Sequence, residues 1–412
     1  MLIYVRSKKD KDAISHVIEK VYKGSIEIRT LGGKRKDELK EEIEKIVKNP
    51  EDFTIILLGS EDRKWIKTDL SNAVVKVDFV PKAKVRNVKF ALLVREIERV
   101  KARFLLDIVY KENTYFLGKR SNFITEYKLG SDIFLVIWDK YKEILKKNFE
   151  INNYPLILHE GEWDIVFSGD IVVGKVYRPL NGDLKFYPTG LKGEDIDFKK
   201  FLKENEGYLK QKIEMTVKKI KDIIKKYGFT EIVVPWSGGK DSTLLVILLK
   251  KYVKIDFTAV YVNTGLEFKY TENYVREIAE KFNIKYEEVY AGIDKEYREK
   301  GIGYLLRRDC TKKKISTLYE FIRKNFENPL VINGDRISES EARSFRPEFR
   351  YDDFWILSPI KYWSFLDEQL FFIYNDIPWN PLYSYGFYRV GCYVCPFIDS
   401  FEKEIVKKFV LK

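Results

Sequence analysis

Cysteine and histidine are scarce. The 412 residues include three cysteines, Cys310, Cys392 and Cys395, and two histidines, His16 and His159. Three cysteines are too few, and oddly numbered, for a disulfide framework. Two histidines leave histidine-based catalysis and a four-ligand Cys/His zinc site poorly supplied. Long apolar runs are missing too. No segment approaches the roughly 18 apolar residues of a membrane span, and the N-terminus, MLIYVRSKKDKD, turns charged after a few apolar residues. The expectation is a soluble, cytoplasmic protein with no membrane partner.

What is present points to a folded chain of several units. A hydrophobic content of 45% over 412 residues is enough for two or three domains. Lys and Arg number 75 against 63 Asp and Glu, a formal charge of +12. That excess favours anionic partners such as nucleotides or RNA, although a well-solvated surface rich in Lys and Glu accounts for it equally.

Residues 1–150 alternate apolar runs (Leu2 to Val5, Ser25 to Arg29, Phe53 to Leu58) with charged helical stretches, a small α/β unit without a nameable motif. The basic stretch around Arg95 to Arg103 reads first as a solvated helix face and second as a phosphate contact. Residues 151–205 change to short strands broken by Gly, Pro and Asn, as in WDIVFSGDIVVGKVYRPLNGDLKFYP, a β-rich module. Through GDIVVGKV at Gly169 to Val176 it loosely resembles the PUA-type RNA-binding barrel. From 206 to 412, a helix with apolar residues at Leu209, Ile213, Val217, Ile220 and Ile224 stops at Gly228. Strands and helices then alternate, which predicts α/β architecture: a parallel sheet sandwiched by helices, with ligands at the carboxyl ends of its strands.

The segment SGGKDS, Ser237 to Ser242, follows the strand EIVVPW and opens a helix. Gly238 and Gly239 let backbone N–H groups approach oxygen atoms, the helix start is positive, and Ser237 and Ser242 add hydroxyls. A pyrophosphate suits such a cradle. Lys240 supplies a cation, and Asp241 is expected to bind magnesium or cap the helix, so both are candidate catalytic residues. The G-x-x-x-x-G-K-[ST] spacing of a Walker A loop is absent.

Four ordered motifs, SGGKDS, NTGLEFKYTENYVREIAEKF at 263–282, NGDRISESEAR at 333–343 and NPLYSYGFYRVGCYVCPF at 380–397, resemble the PP-loop ATP pyrophosphatases. Within them they resemble the phosphoadenosine phosphosulfate (PAPS) and adenosine phosphosulfate (APS) reductases. The resemblance implies an adenine nucleotide alpha-hydrolase-like fold over about Phe229 to Ile398. It also implies an adenine nucleotide, ATP or APS/PAPS, with adenine and ribose near Val262, Asn263, Thr264 and Gly265. Arg336 and Arg343 would face the sulfate or phosphate end, with Gly334 leaving room; ion pairs to Glu339 and Glu341 are the alternative for the two arginines.

The cysteines resemble those of cluster-binding APS reductases, with one change: the adjacent cysteine pair of that family corresponds here to Asp309 and Cys310. A 4Fe-4S cluster on Cys310, Cys392 and Cys395 is the first reading. Zinc with Asp309 as fourth ligand is the second, and a CxxC redox pair with Cys310 in the core is the third. The reductases' nucleophilic cysteine, which lies near the C-terminus, has no counterpart after Cys395. The arrangement therefore also resembles tRNA thiolation enzymes. Three functions follow: ATP-dependent sulfur transfer to tRNA or other RNA, sulfonucleotide reduction with a thiol or sulfide donor protein, and a non-catalytic nucleotide- or RNA-binding scaffold.

Overall fold

The computed structural model describes residues 1–410. In the first unit, β1 (Leu2–Val5), α1 (Lys8–Tyr22), β2 (Glu27–Thr30), α2 (Lys36–Lys48), β3 (Thr54–Leu58) and β4 (Val75–Phe79) alternate along the chain. The strands form a parallel sheet in the order β2-β1-β3-β4. All five residues of β3 are buried, as a strand covered on both faces requires. Next come α3 (Phe90–Leu106) and a hairpin of β5 (Ile108–Lys111) and β6 (Thr114–Leu117). The basic stretch in α3 is a solvated face only in part: Arg95 is exposed, whereas Lys101 and Arg103 are buried. Arg103 is fully buried and bonds both oxygens of Asp107 at 3.1 and 2.9 Å and Asp78 at 3.1 Å. Lys101 meets Glu98 at 2.8 Å and the Ser344 carbonyl at 3.0 Å. Carboxylates from β4 and from α3 itself draw these cations inward, so the charges brace the unit against the rest of the chain.

The β-rich module is a five-stranded antiparallel meander with one short helix. It consists of β7 (Ser131–Leu135), α4 (Asp139–Lys146), β8 (Leu156–Glu160), β9 (Trp163–Ser168), β10 (Ile171–Tyr177) and β11 (Lys185–Pro188). The order β11-β10-β9-β8-β7 leaves the end strands on opposite edges, an open sheet rather than the closed barrel expected from the PUA-type resemblance. The sheet also starts before residue 151, because Ser131–Leu135 pairs with β8. The outer edge of β7 is covered by a side chain: Leu135 N–H donates to Gln369 Oε1 at 2.8 Å, and Gln369 Nε2 donates to the Leu135 carbonyl at 2.7 Å.

A 30-residue helix, α5 (Phe198–Tyr227), runs to the third unit, capped by Asp197 and ended by Gly228 in the left-handed conformation (φ 68°). There, β12 (Ile232–Pro235), α6 (Lys240–Leu248), β13 (Thr258–Asn263), α7 (Lys269–Phe282) and β14 (Tyr286–Tyr290) follow in turn. Three helices, α8 (Ile293–Lys300), α9 (Ile302–Leu306) and α10 (Asp309–Asn325), precede β15 (Leu330–Ile332) and α11 (Glu341–Phe345). The chain closes with β16 (Phe349–Tyr351), β17 (Trp355–Leu357), α12 (Phe365–Tyr374) and α13 (Ser400–Ile405). The sheet order is β14-β13-β12-β15-β17-β16, parallel except for β16. Chain order reverses at β12, between β13 and β15, so the segment leaving β12 stands at the topological switch point where such sheets bind ligands. Among the described residues no helix is long and apolar enough to cross a membrane.

Candidate active site

SGGKDS forms the turn from β12 into α6, and the helix starts at Lys240, inside the motif. Gly238 has φ 72°, and a Cβ there would meet Thr271 Cγ2 at 2.8 Å and Val275 Cγ2 at 2.9 Å, so α7 packs directly against the loop. Gly239 caps α6 without a side-chain hydrogen bond, which leaves first-turn N–H groups for an external acceptor. Ser242 Oγ accepts from Ser237 N–H at 3.2 Å and lies 3.2 Å from Ser237 Oγ, fixing both hydroxyls at the loop. The Tyr383 hydroxyl accepts from Lys240 N–H at 3.0 Å.

Beneath the loop lies a buried charge cluster. The Lys240 side chain turns inward rather than toward a phosphate: Nζ is 2.9 Å from Asp241 Oδ2 and 3.6 Å from Glu368 Oε2, over the rings of Phe365 and Tyr388. Arg336 is likewise not at an anion site. It is 0% exposed, bonds Asp241 through Nε, and reaches Asp132 Oδ2 at 2.7 Å, Glu368 Oε1 at 3.3 Å and the Trp363 carbonyl at 3.2 Å. Its expected alternative partner, Glu339, accepts from the Arg336 backbone N–H at 3.2 Å, and among the described residues it has no bond to the guanidinium. Burial alone would raise the Asp241 carboxyl, but the Arg336 and Lys240 charges outweigh it and hold the group well below the usual carboxylate range. Burial pushes the Glu368 carboxyl well above that range, against the pull of Arg336 and Lys240.

Above the loop a pocket of about 320 Å³ is lined by Ser237, Asp241, Ser242, Asn333, Gly334 and Arg343 on its polar side. Trp236, Val260, Val262, Ile315 and Leu318 form its apolar side. Gly334 leaves space that a Cβ would take, 3.0 Å from Asp241 Cβ. Arg343, 35% exposed, pairs with Glu339 through Nη1 and with Asp335 at 3.5 Å through Nε. Asn263 and Gly265 shape the neighbouring turn: Asn263 Oδ1 accepts from Gly265 N–H at 2.8 Å, and Gly265 (φ 76°) has Asp294 where a Cβ would stand.

A second cavity, of about 530 Å³, receives all three cysteines together with Thr264, Arg308, Lys314, His159, Tyr388 and Glu402. Cys392 Sγ is 3.5 Å from Thr264 Oγ1, and Tyr393 N–H donates to the Leu266 carbonyl at 3.1 Å, so the turn after β13 and the CxxC are bonded to each other. Burial, with the Glu267 carboxylate adding to it, pushes the Cys392 thiol up to about 11. Asp309 does not join them. It faces another cavity and pairs with Arg307 at 3.0 Å and Lys312 at 3.1 Å, because α10 turns its first residue outward. The zinc site with Asp309 as fourth ligand is therefore not formed. Among the described residues no group of three or more His, Cys, Asp or Glu converges as a single metal ion requires. All three thiols are among the residues that line this one cavity.

Residues 231–397 match the phosphoadenosine phosphosulfate reductase domain. An uncharacterized protein of Methanocaldococcus jannaschii is 27% identical over 388 residues, covering 82% of this chain and 80% of its own. The adenosine 5'-phosphosulfate reductase of Lysinibacillus sphaericus is 28% identical over 181 residues, 42% of this chain and 75% of its own. A crystal structure of PAPS reductase from Candida auris, a phosphate complex, aligns at 13% identity over 45% of this chain and 95% of its own, TM-score 0.35.

The pocket over SGGKDS lies within the matched segment and is the candidate nucleotide site. Sequence reasoning missed several residues around it. Glu368 and Asp132 approach from α12 and from β7, outside the loop motif, and carried no local signal. Lys314 stands four residues after Cys310 and Tyr388 within the motif at 380–397, but only the fold gives them the cavities they line.

Proposed function

We propose that the protein is an ATP-dependent sulfur transferase acting on RNA. The observation that carries this reading is the contact between the two cavities: Lys314 and Ile315 line both, so the phosphate cradle and the three thiols share one wall. In this scheme the first turn of α6, with the Ser237 and Ser242 hydroxyls, binds the pyrophosphate of ATP. Asp241, held ionised, takes magnesium, and Arg343 reaches phosphate oxygens. Val260, Val262 and Leu318 give the adenine side an apolar wall.

The chemistry balances in two displacements. A base carbonyl oxygen attacks the α-phosphorus; the bond to the bridging oxygen breaks, and pyrophosphate leaves into the cradle. A hydrosulfide then attacks the activated carbon, the C–O bond breaks, AMP departs, and the sulfur's proton goes to solvent. When bound on Cys310, Cys392 and Cys395, a 4Fe-4S cluster supplies an iron without a protein ligand where inorganic sulfide can be held. Lys314 offers positive charge between the two sites.

Anaerobically prepared protein incubated with ATP, sulfide and tRNA is expected to release pyrophosphate and AMP in equal amounts and to yield thiolated nucleosides by mass spectrometry. Iron and sulfide should be present before the reaction. Protein that is iron-free yet active would remove the cluster from the scheme, and absence of nucleotide cleavage would remove the scheme itself. A second reading, reduction of APS or PAPS by an external thiol, draws on the similarity to APS reductases and on Arg343 at the pocket. Sulfite release from either sulfonucleotide without ATP would decide for it.

A further inference from the structure

The outer face of the β-rich sheet carries aromatic rings and lysines in register. Trp163 stands opposite Tyr177, and Tyr177 opposite Lys185; Lys175 stands opposite Tyr187. Alternate residues of a strand share a face, so Trp163, Tyr177, Lys175, Lys185 and Tyr187 project from the same side. Trp163 is 38% exposed and Tyr187 46%, high for large rings. The rings touch one another, with centroids 4.7 Å apart for Trp163 and Tyr177 and 5.7 Å for Trp163 and Tyr187. Tyr177 is held by its hydroxyl on Glu162 at 3.2 Å. Among the described residues, neither the Lys175 nor the Lys185 ammonium group has a hydrogen-bond or ion-pair partner.

The location gives this face a purpose. Gly161 and Glu162, immediately before Trp163, line the thiol cavity, and so do Arg178 and Leu180, immediately beyond Tyr177. The aromatic end of the sheet is therefore the lip of that cavity. Flat rings open to solvent, with unpaired cations beside them, match the two faces of a single-stranded nucleic acid: bases that stack and phosphates that need positive charge. A duplex hides its base faces, and an apolar peptide would leave both ammonium groups unanswered.

We propose that Trp163, Tyr177 and Tyr187, with Lys175 and Lys185, form a stacking platform for single-stranded RNA that delivers a base over the lip into the thiol cavity. The platform's ability to bind stands on its own geometry; the fate of the delivered base rests on the sulfur-transfer reading above.

The test is fluorescence anisotropy of the full-length protein with a labelled, unstructured oligoribonucleotide over a salt series. The Trp163→Ala/Tyr187→Ala double variant should weaken binding by at least about tenfold, and Trp163→Phe should keep most of it, since each stacked base contributes that order of affinity. Lys175→Ala/Lys185→Ala should lower the slope of log affinity against log salt by about 1.4, two phosphate contacts' worth for a single strand. Circular dichroism and ATP affinity should be unchanged in all of them. A wild-type protein that does not bind the oligonucleotide overturns the platform, and so does a double variant that binds it equally well. Platform-dependent binding without any thiolated nucleoside would sink the sulfur-transfer reading and leave the platform standing. Normal thiolation by the double variant would do the reverse.

Discussion

The nucleotide pocket and the thiol cavity meet at Lys314 and Ile315, yet each tunes its carboxyl group in the opposite direction. In the pocket, Asp241 would rise with burial, but Arg336 and Lys240 hold it well below the usual range. In the cavity, burial and the Asp399 charge push Glu402 up to about 7, against the pull of Arg178. One group stays an anion, suited to a cation among phosphates; the other gains and loses a proton near neutrality. The pocket is built from fixed charges and oriented N–H groups, which suit phosphoryl displacement. In the cavity, burial raises the Cys392 and Cys395 thiols, which favours their protonated form until something electropositive binds and suits soft sulfur chemistry.

The sharpest way to break this comparison is to remove a thiol. Cys392→Ser should cut sulfur incorporation by about a thousandfold or more, to background, while ATP affinity stays within about twofold. Isotope-labelled sulfide incorporation and nucleotide titration read the two sides separately. If both fell together, the cavities would be one site. Arg336→Ala comes next. It leaves Asp132, Asp241 and Glu368 without their shared cation, and loss of one partner from a buried ion cluster costs about 3–5 kcal/mol. Denaturant unfolding measures it, and a loss below about 1 kcal/mol would show that Arg336 does not brace the loop.

Glu402 gives a pH test of the cavity side. Its folded value, about 7, lies above the ordinary 4.5, so the folded state holds a proton that the unfolded chain has already released between those limits. Its contribution to stability is full below pH 4.5 and falls as pH rises to 7, by about 3 kcal/mol at most, since each unit is worth about 1.4 kcal/mol. Glu402→Gln should flatten that part of the stability profile in denaturant melts at successive pH values. An unchanged slope would place the titration elsewhere.

Legibility followed the range of the interactions. The turn at SGGKDS was readable because a strand, two glycines and a helix start lie within one segment, and Gly238 does have its positive φ. The parallel sheet was readable for the same reason, from alternating strands and helices. Arg336 was not: its partner Asp132 lies 204 positions away, and nothing in NGDRISESEAR says that the guanidinium turns under the loop. Lys240 is drawn inward by Glu368 and the Phe365 ring on α12, again a tertiary effect. Asp309 is the instructive miss, because its partners Arg307 and Lys312 are local neighbours that could have been weighed against a metal role. In α3, the buried fate of Lys101 and Arg103 depended on carboxylates from β4 and from the helix itself, and on Ser344, in another unit.

The smallest effect tests the pocket by its other arginine. Arg343 lines the pocket, is 35% exposed and, among the described residues, has only Glu339 and Asp335 as ionic partners. Its removal leaves no deeply buried charge unmatched, so Arg343→Ala should alter stability by no more than about 0.5 kcal/mol. It should nonetheless weaken ATP binding by about tenfold, the loss of one charge-assisted contact to a phosphate. Arg343→Lys should recover part of that affinity, because a point charge remains without the paired planar donors. Isothermal titration on the three proteins decides the matter. If Arg343→Ala bound ATP normally, the guanidinium would be serving Glu339 and Asp335 alone, and the phosphate end would rest on the α6 cradle without an arginine.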